Sequence, residues 1–261
     1  MARLEVGTVL LQWATGGLLA TWVTTRHRVL GTGYGWLVRG VFLALTLGGV
    51  GAGIADDRGG TGATVRDAAG LAMAAFVALA LAVSVVRRKV AVDDREHGFP
   101  PALDALAPTA GLVALLAAAD AAGGPYALSA ARLAVGAVFL GLVTDAMLLG
   151  HWYLVQPGLA RGPIIELVRL TLVIWPLEVA VWLIPTGMGD VIGGTVDDGY
   201  HGLLGATWVV SALTTFGLAW VARRALREPY YSAVMATTGL LYLAILTAFG
   251  TDVLARAVLA A

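Results

Sequence analysis

The segment ALSAARLAVGAVFLGLVTDAMLLGHWYL, residues 127–154, is long and apolar enough to cross a lipid bilayer. A helix of about 20 apolar residues, rising 1.5 Å per residue, matches a hydrocarbon core about 30 Å thick. The apolar residues form a continuous run instead of alternating with polar ones, so a membrane β-strand is excluded. The segment therefore predicts a transmembrane α-helix.

Similar runs recur along the whole chain of 261 residues, of which 59% are hydrophobic and 13% charged. A soluble domain has about 25% charged residues, so the composition is typical of a protein in a lipid bilayer. We predict an all-α polytopic membrane protein with eight transmembrane helices. They are expected over residues 5–25, 33–54, 67–87, 103–121, 127–154, 164–185, 202–222 and 230–250.

The charge balance and the missing residue types exclude several classes of protein. There are 17 basic and 17 acidic residues, so we expect no nucleic-acid partner. Cysteine is absent, which excludes disulfides, iron–sulfur clusters and thiolate haem ligation. The single lysine, Lys89, lies in a basic loop, so a buried Schiff base to retinal is excluded. No phosphate-binding loop or dinucleotide-binding motif is present.

Basic residues in the predicted loops indicate an orientation. Loops one, three, five and seven hold most of the arginines, whereas loops two, four and six hold only Arg58 and Arg66. Because positive loops stay in the cytoplasm, the odd loops are predicted to be cytoplasmic and both termini to lie outside. We expect an integral protein of a prokaryotic-type inner (cytoplasmic) membrane.

The two halves of the chain resemble each other. VGTVLLQWATGGLL from Val6 aligns with VGAVFLGLVTDAML from Val135 at an offset of 129 residues. Three further matches follow in the same order at nearly the same offset, although a shared bias towards Ala, Gly, Leu and Val could also produce them. We predict two parallel four-helix repeats, over residues 1–125 and 126–261.

The alignment separates residues found in both halves from those found in one. Asp145 aligns with Gly16, His151 aligns with Trp22, and Glu178 aligns near Gly48. The second repeat is therefore predicted to carry the specific site, because it alone has these ionisable groups.

Asp145 and Glu178 are the predicted catalytic residues. A charge inside a bilayer costs at least a few kcal/mol, so an ionisable residue there is a functional candidate. Counting residues places Asp145 at a depth of about 15 Å and Glu178 at about 18 Å from the cytoplasmic end. The two carboxyls are predicted to form a pair that passes protons or holds a cation. The alternative is two unrelated carboxyls, each hydrogen-bonded locally.

A layer of aromatic and basic residues is predicted near the cytoplasmic face. His151, Trp152 and Tyr153 are interpreted either as an interfacial aromatic belt or as contacts for a quinone. Arg39 and Arg169 lie about one turn inside the same face, where they could join a quinone pocket or reach lipid headgroups. A haem b would need two axial ligands, and His151 with His27 is the pair at similar depth.

Three functions remain open at this point. The favoured one is a membrane redox subunit that binds quinone or haem near the cytoplasmic face and moves protons through Asp145 and Glu178. The second is a proton- or ion-coupled transporter, and the third is a scaffold or assembly subunit without chemistry. Beyond the lipid bilayer, other membrane subunits or further copies of this chain are expected partners.

Overall fold

The computed structural model describes residues 5–26, 28–56, 59–90, 98–122, 125–184 and 187–260. Within those ranges the secondary structure is helical, with no strand. The helices are α1 (Val6–Thr25), α2 (Thr32–Ala55), α3 (Thr61–Val90), α4 (Pro101–Asp104), α5 (Leu106–Ala121), α6 (Tyr126–Val155), α7 (Gly162–Leu183), α8 (Met188–Ile192), α9 (Leu203–Ala225) and α10 (Tyr231–Ala260).

Seven helices of the described chain are long and apolar enough to cross a membrane: α1, α2, α3, α4 with α5, α6, α9 and α10. Large apolar side chains such as Val173, Leu213 and Leu246 lie on the outside of the molecule. A helix that is apolar on its outer side as well as its inner side suits a lipid environment. The protein is therefore an integral membrane protein with several spans.

Helix α7 has the length of a span, 22 residues, but it differs from the seven helices above in holding three ionisable residues in every stretch of 18 residues. Glu166, Arg169 and Glu178 all lie within it. Pro163 occupies its first turn, where a missing backbone N–H is tolerated. The helix continues through Pro176 without a break.

The helix ends define two faces of the molecule. The terminal face, as we use the name, holds the starts of α1, α3, α6 and α9 and the ends of α2, α5, α7 and α10. The basic face holds the opposite helix ends, and exposed arginines lie there: Arg87, Arg88, Arg223, Arg224 and Arg227. The charge asymmetry expected from the sequence is present between these faces.

Helix contacts form two rings of four. In the first ring, α1 packs on α2, α2 on α3, α3 on α5, and α5 on α1. In the second, α6 packs on α7, α7 on α9, α9 on α10, and α10 on α6. The rings join mainly where α1 packs against α6, so these two helices lie at the centre of the molecule.

The joint between the rings depends on glycine. A Cβ atom added to Gly16 would lie 1.6 Å from the carbonyl oxygen of Ala137, and one added to Gly141 would lie 2.0 Å from the carbonyl carbon of Gly16. No side chain fits there, so the backbones of α1 and α6 are in direct contact. Small residues at helix crossings are typical of close packing in membranes.

Some predicted helix bounds differ from the structure. The last helix was expected to end at residue 250, but α10 continues to Ala260 because Asp252 and Arg256 form an ion pair four residues apart. Helix α3 begins at Thr61, six residues before the predicted start. The prediction for His27 falls outside the described residues.

Candidate functional site

Asp145 on α6 is completely buried and is held by two hydroxyl groups. Tyr34 donates to its Oδ1 at 2.7 Å, and the Thr24 hydroxyl lies 2.5 Å from its Oδ2. Thr24 is in the last turn of α1 and Tyr34 in the first turn of α2. Asp145 is therefore level with the basic-face ends of these helices, and not with their middle as the sequence predicted.

The two hydroxyl groups can form hydrogen bonds with the Asp145 side chain whether or not it carries a proton. Thr24 Oγ1 also lies 2.7 Å from the carbonyl oxygen of Ala20. A carboxylate would accept hydrogen bonds from both hydroxyls. A carboxylic acid would accept from Tyr34 and donate to Thr24, whose own proton then goes to Ala20.

Arg39, beside this site, is tied to a carboxylate that the sequence analysis did not select. Its Nε donates to Asp104 Oδ1 at 2.8 Å, and an Nη2–Oδ2 contact completes a two-pronged pair. Its Nη1 donates to the Gly35 carbonyl, and Nη2 also donates to the Thr25 hydroxyl, each at 3.0 Å. The guanidinium also stacks on Phe99, 3.5 Å from the ring centre. Arg39 does not reach towards lipid headgroups.

A second buried polar group lies towards the terminal face. We call it the terminal-face cluster and define it as Gln12, Arg132, Glu178, Asp252 and Arg256. Glu178 and Asp252 are fully buried and their carboxyl groups are neighbours. Glu178 Oε1 accepts a hydrogen bond from the Trp182 indole N–H at 2.7 Å.

Asp252 has most of the hydrogen bonds in this cluster. It accepts two from Arg256, at 3.0 and 3.1 Å, and one from the Gln12 amide at 3.1 Å. Gly136 on α6 lies against the same carboxylate, since an added Cβ would be 2.4 Å from Asp252 Oδ1. Four helices, α1, α6, α7 and α10, thus supply the cluster.

Arg132 has fewer partners than Arg256. Its Nε donates to the Val181 carbonyl at 3.0 Å, and its guanidinium carbon lies 4.8 Å from the centre of the Trp182 ring. Arg256 lies 5.3 Å from the centre of that ring. The indole of Trp182 therefore contacts both cations and Glu178.

Within the described part of the chain, three buried polar atoms of the terminal-face cluster have no hydrogen-bond partner: Gln12 Oε1, Arg132 Nη2 and Glu178 Oε2. Such atoms are rare in folded proteins because an unpaired buried donor or acceptor costs about 1–3 kcal/mol. A cleft of about 20 Å³ opens beside one of these residues, Arg132, and is also lined by Glu5, Ser129 and Arg256. The cluster has the ionisable groups and unsatisfied atoms expected of a working site.

The two predicted catalytic carboxylates belong to different sites. On α1, Gln12 contacts the terminal-face cluster and Thr24 contacts Asp145. These residues are twelve positions apart, which is about 18 Å along a helix. The carboxylate beside Glu178 is Asp252, so the predicted pairing of Asp145 with Glu178 is not present.

The predicted cofactor residues do not converge. His151 is exposed, and its Nδ1 lies 3.3 Å from the Tyr242 hydroxyl on α10. The Trp152 indole packs near Tyr34 and donates to Gln156, while the buried Tyr153 hydroxyl donates to the Ala160 carbonyl.

Arg169 is exposed on α7, and the nearby Glu166 pairs with Arg26 of α1 at 2.6 Å. Among the described residues, no group of three metal-binding side chains comes together.

An apolar cavity of about 440 Å³ lies between α1, α5 and α6. Gly16, Leu19, Trp22, Pro108, Leu112 and Val138 are among its lining residues. The Trp22 indole N–H is already bound to the Pro101 carbonyl at 3.0 Å. The cavity has the volume of a small-molecule site and an apolar wall.

Asp198, in the loop before α9, is stabilised by backbone groups outside the spans. The N–H groups of Gly202, Tyr200, Gly205 and Leu204 donate to it at 2.8–3.3 Å. These hydrogen bonds, that of Gly202 first, lower the pKa of Asp198 below its ordinary value. Asp198 therefore gives this loop a defined turn.

Sequence reasoning missed Asp252, Arg256 and Asp104 as candidate residues. The first two were placed beyond the predicted end of the last helix, although their i,i+4 spacing is a helical signal. Asp104 was taken as the edge of a span. Its role depends on Arg39, which is 65 residues away in sequence.

No protein-family model, curated protein or solved structure matches this chain. The fold and the buried charges define the class: a multi-pass helical membrane protein with a polar cluster among its central helices.

Proposed function

We propose that this protein is a proton-coupled membrane transporter in which Glu178 and Asp252 form the proton-binding pair. The observation that carries the proposal is the burial of two neighbouring carboxyls, one of which has an oxygen without a hydrogen-bond partner among the described residues. Two adjacent carboxyls can hold one proton between them. Groups of this kind inside a membrane are typical of proton relays.

The neighbouring cations make the pair able to gain and lose a proton. Arg256 binds Asp252 directly, and Arg132 lies across the Trp182 ring from Glu178. With both carboxyls ionised, the two arginines balance their charge. With one proton bound, a single positive charge is in excess. Neither state leaves a large unbalanced charge in the bilayer.

The cleft near the terminal face supports a route by which protons reach the carboxyl pair from that side. Arg132 and Arg256 line the cleft, and Glu5 lies at the start of α1 beside it. Towards the basic face, Asp145 of α6 lies against Thr24 of the other central helix, α1. The hydroxyls around Asp145 accommodate its carboxyl with or without a proton. The predicted role of Asp145 in proton transfer is kept in this proposal as a second station.

We also infer that α7 is an eighth span and that residues 1–125 and 126–261 are two parallel four-helix units. The length of α7 and the matching contact rings support this arrangement. The basic face is proposed to be cytoplasmic, with both termini outside, because its exposed arginines follow the positive-inside rule.

Two measurements test the transporter proposal. Infrared difference spectra of the reconstituted protein between acidic and alkaline buffer are expected to show a protonated carboxyl band. Glu178→Gln and Asp252→Asn should each remove it. Asp120→Asn should leave it intact, since Asp120 is an exposed carboxylate near the end of α5.

Flux is the second measurement. Liposomes with an entrapped pH-sensitive dye are given a proton gradient in a panel of inorganic salts, sugars and amino acids. At least one solute is expected to accelerate proton movement in the wild type and the Asp120→Asn variant, and not in Glu178→Gln. Equal proton movement in Glu178→Gln and the wild type, or none with any solute, would refute the proposal.

A quinone-linked redox subunit is the second candidate, and the apolar cavity between α1, α5 and α6 favours it. The contacts predicted from the sequence for quinone or haem b lie outside the lining of this cavity: His151, Trp152, Tyr153, Arg169 and Arg39. Organic extraction of the purified protein should then yield quinone, and a reduced-minus-oxidised absorption spectrum would reveal haem. If the extract contains neither cofactor and the protein binds neither when it is supplied, this candidate is removed. Transport or a scaffold role then remains.

A further inference from the structure

Arg132 is a buried cation without a carboxylate of its own. The residue is 6% exposed, and among the described side chains no carboxylate lies within ion-pair distance of it. Its Nε donates to the Val181 carbonyl, and its guanidinium plane lies over the Trp182 ring. Its Nη2 has no hydrogen-bond partner among the described residues. A buried charge in this state needs a counter-charge or a strong acceptor.

The atoms around Arg132 favour an anion as that acceptor. Arg132 and Arg256 both line the cleft, whereas the one carboxylate on its wall, Glu5, is bound by Arg66 at 2.8 Å and by the Thr8 hydroxyl at 3.1 Å. Arg66 also binds Asp67 at 2.8 Å, so Glu5 shares this cation with a second carboxylate. On the wall of the cleft itself, two arginines face one carboxylate that already has a cationic partner.

We infer that Arg132 binds a small inorganic anion of halide size in this cleft, and that this anion is the solute moved with the proton. A volume of about 20 Å³ holds one body the size of a water molecule, which excludes carboxylic acids, sugars and amino acids. The occupant is a single compact ion that accepts hydrogen bonds from guanidinium groups.

Charge balance couples the anion to the proton. Arg132 and Arg256 are balanced when Glu178 and Asp252 are both ionised. A proton on the carboxyl pair leaves one positive charge in excess, and an anion beside Arg132 restores neutrality. Each ligand therefore raises the affinity for the other. This transport step rests on the proposed function, whereas binding of the anion by itself does not.

Binding is tested on the full chain in detergent by thermal unfolding in sodium chloride against sodium gluconate. Chloride should raise the melting temperature of the wild type, because a ligand that binds the folded state stabilises it. In Arg132→Gln, half-maximal stabilisation should need at least about tenfold more chloride, since the anion loses a charged hydrogen-bond donor. Arg223→Gln, which alters an exposed arginine on the basic face, should respond as the wild type does.

A second readout serves if Arg132→Gln does not fold. Chloride should change the tryptophan fluorescence of the wild type through Trp182, which lies under the arginine. Trp182→Phe should lose that change while Trp220→Phe keeps it. An unchanged chloride response in Arg132→Gln, or an equal response in Trp182→Phe, would overturn the anion site.

Flux separates the two proposals. Proton movement in liposomes is expected with chloride and not with gluconate, and Glu178→Gln should abolish it while keeping stabilisation by chloride. Proton movement with another solute, independent of chloride, would overturn the anion as cargo and preserve the transporter. Chloride stabilisation that depends on Arg132, without proton movement in any salt, would preserve the anion site and refute the transporter.

Discussion

The Arg39–Asp104 pair and the terminal-face cluster place buried charges at opposite ends of the same molecule in different ways. Arg39 meets one carboxylate, one carbonyl, one hydroxyl and one aromatic ring. The terminal-face cluster holds two carboxyls and two arginines, yet three of its buried polar atoms lack partners.

We therefore interpret the Arg39–Asp104 pair as structural and the terminal-face cluster as the proposed functional site. An ion pair with these additional hydrogen bonds fixes α2 against the end of α4. An incompletely satisfied cluster costs free energy in the folded state, and such a cost is commonly found where a ligand or a proton completes the site. Mutations at the two ends should therefore affect stability and function in opposite proportions.

The largest effect on stability is expected for Asp104→Asn. The substitution leaves Arg39 as a buried unpaired charge, which should lower the free energy of unfolding by about 3–5 kcal/mol. Replacing both partners, Arg39→Met with Asp104→Leu, should recover most of that loss. Thermal unfolding in detergent measures both. A single variant as stable as the double variant would contradict a structural pair.

A smaller loss is expected within the terminal-face cluster, and it should be uneven. Asp252→Asn removes the charge that Arg256 and Gln12 contact, so about 2–3 kcal/mol of stability should be lost. Glu178→Gln should cost less than about 1 kcal/mol, because only one of its oxygens is hydrogen-bonded. Both variants should lose proton movement. Equal stability losses would show that the cluster is held together differently.

Asp145 provides an intermediate case, since both of its oxygens meet neutral hydroxyls. Asp145→Asn should change the free energy of unfolding by less than about 0.5 kcal/mol, because its amide can donate to Thr24 and accept from Tyr34. Asp145→Leu should lose about 1–3 kcal/mol, since two buried hydroxyls lose their partner. Chemical unfolding of the two variants side by side decides between these values.

The smallest effect concerns pH and lies outside the spans. Because the folded-state pKa of Asp198 is lowered, its ionised form stabilises the loop above the unfolded pKa of about 4. That stabilisation should be lost as pH falls below about 4 and through the lowered value. Melting temperatures of the wild type should therefore drop more steeply on acidification than those of Asp198→Asn. Asp197→Asn, one residue away and exposed, is the matched control.

The sequence predicted the membrane helices well because span length and apolar content are local properties. Residues 127–154 were expected to form a helix, and α6 covers Tyr126–Val155. The charge asymmetry between the faces was likewise readable from loop arginines. The end of α10 was missed because Asp252 and Arg256 look like a polar boundary until their pairing is known.

The site was harder to predict because it depends on contacts between distant helices. Depth counted from predicted helix ends placed Asp145 at about 15 Å and Glu178 at about 18 Å, nearly one level. Asp145 does lie ten residues before the end of α6, so the difference comes from α7. Glu178 is sixteen residues into α7. The partner of Glu178 is 74 residues further along the chain, and that of Arg39 is 65 residues further. Neither separation leaves a periodic signal in the sequence.

The position of Gln12 on α1 has an electrical consequence. Gln12 and Asp252 lie about 9 Å from the terminal-face end of α1, roughly a third of a hydrocarbon core about 30 Å thick. One elementary charge that crosses the whole membrane changes its energy by about 2.3 kcal/mol per 100 mV. A proton that arrives at Asp252 from the terminal face crosses about a third of that drop. Its affinity should then change about three- to fourfold for each 100 mV, which makes this cluster sensitive to membrane voltage.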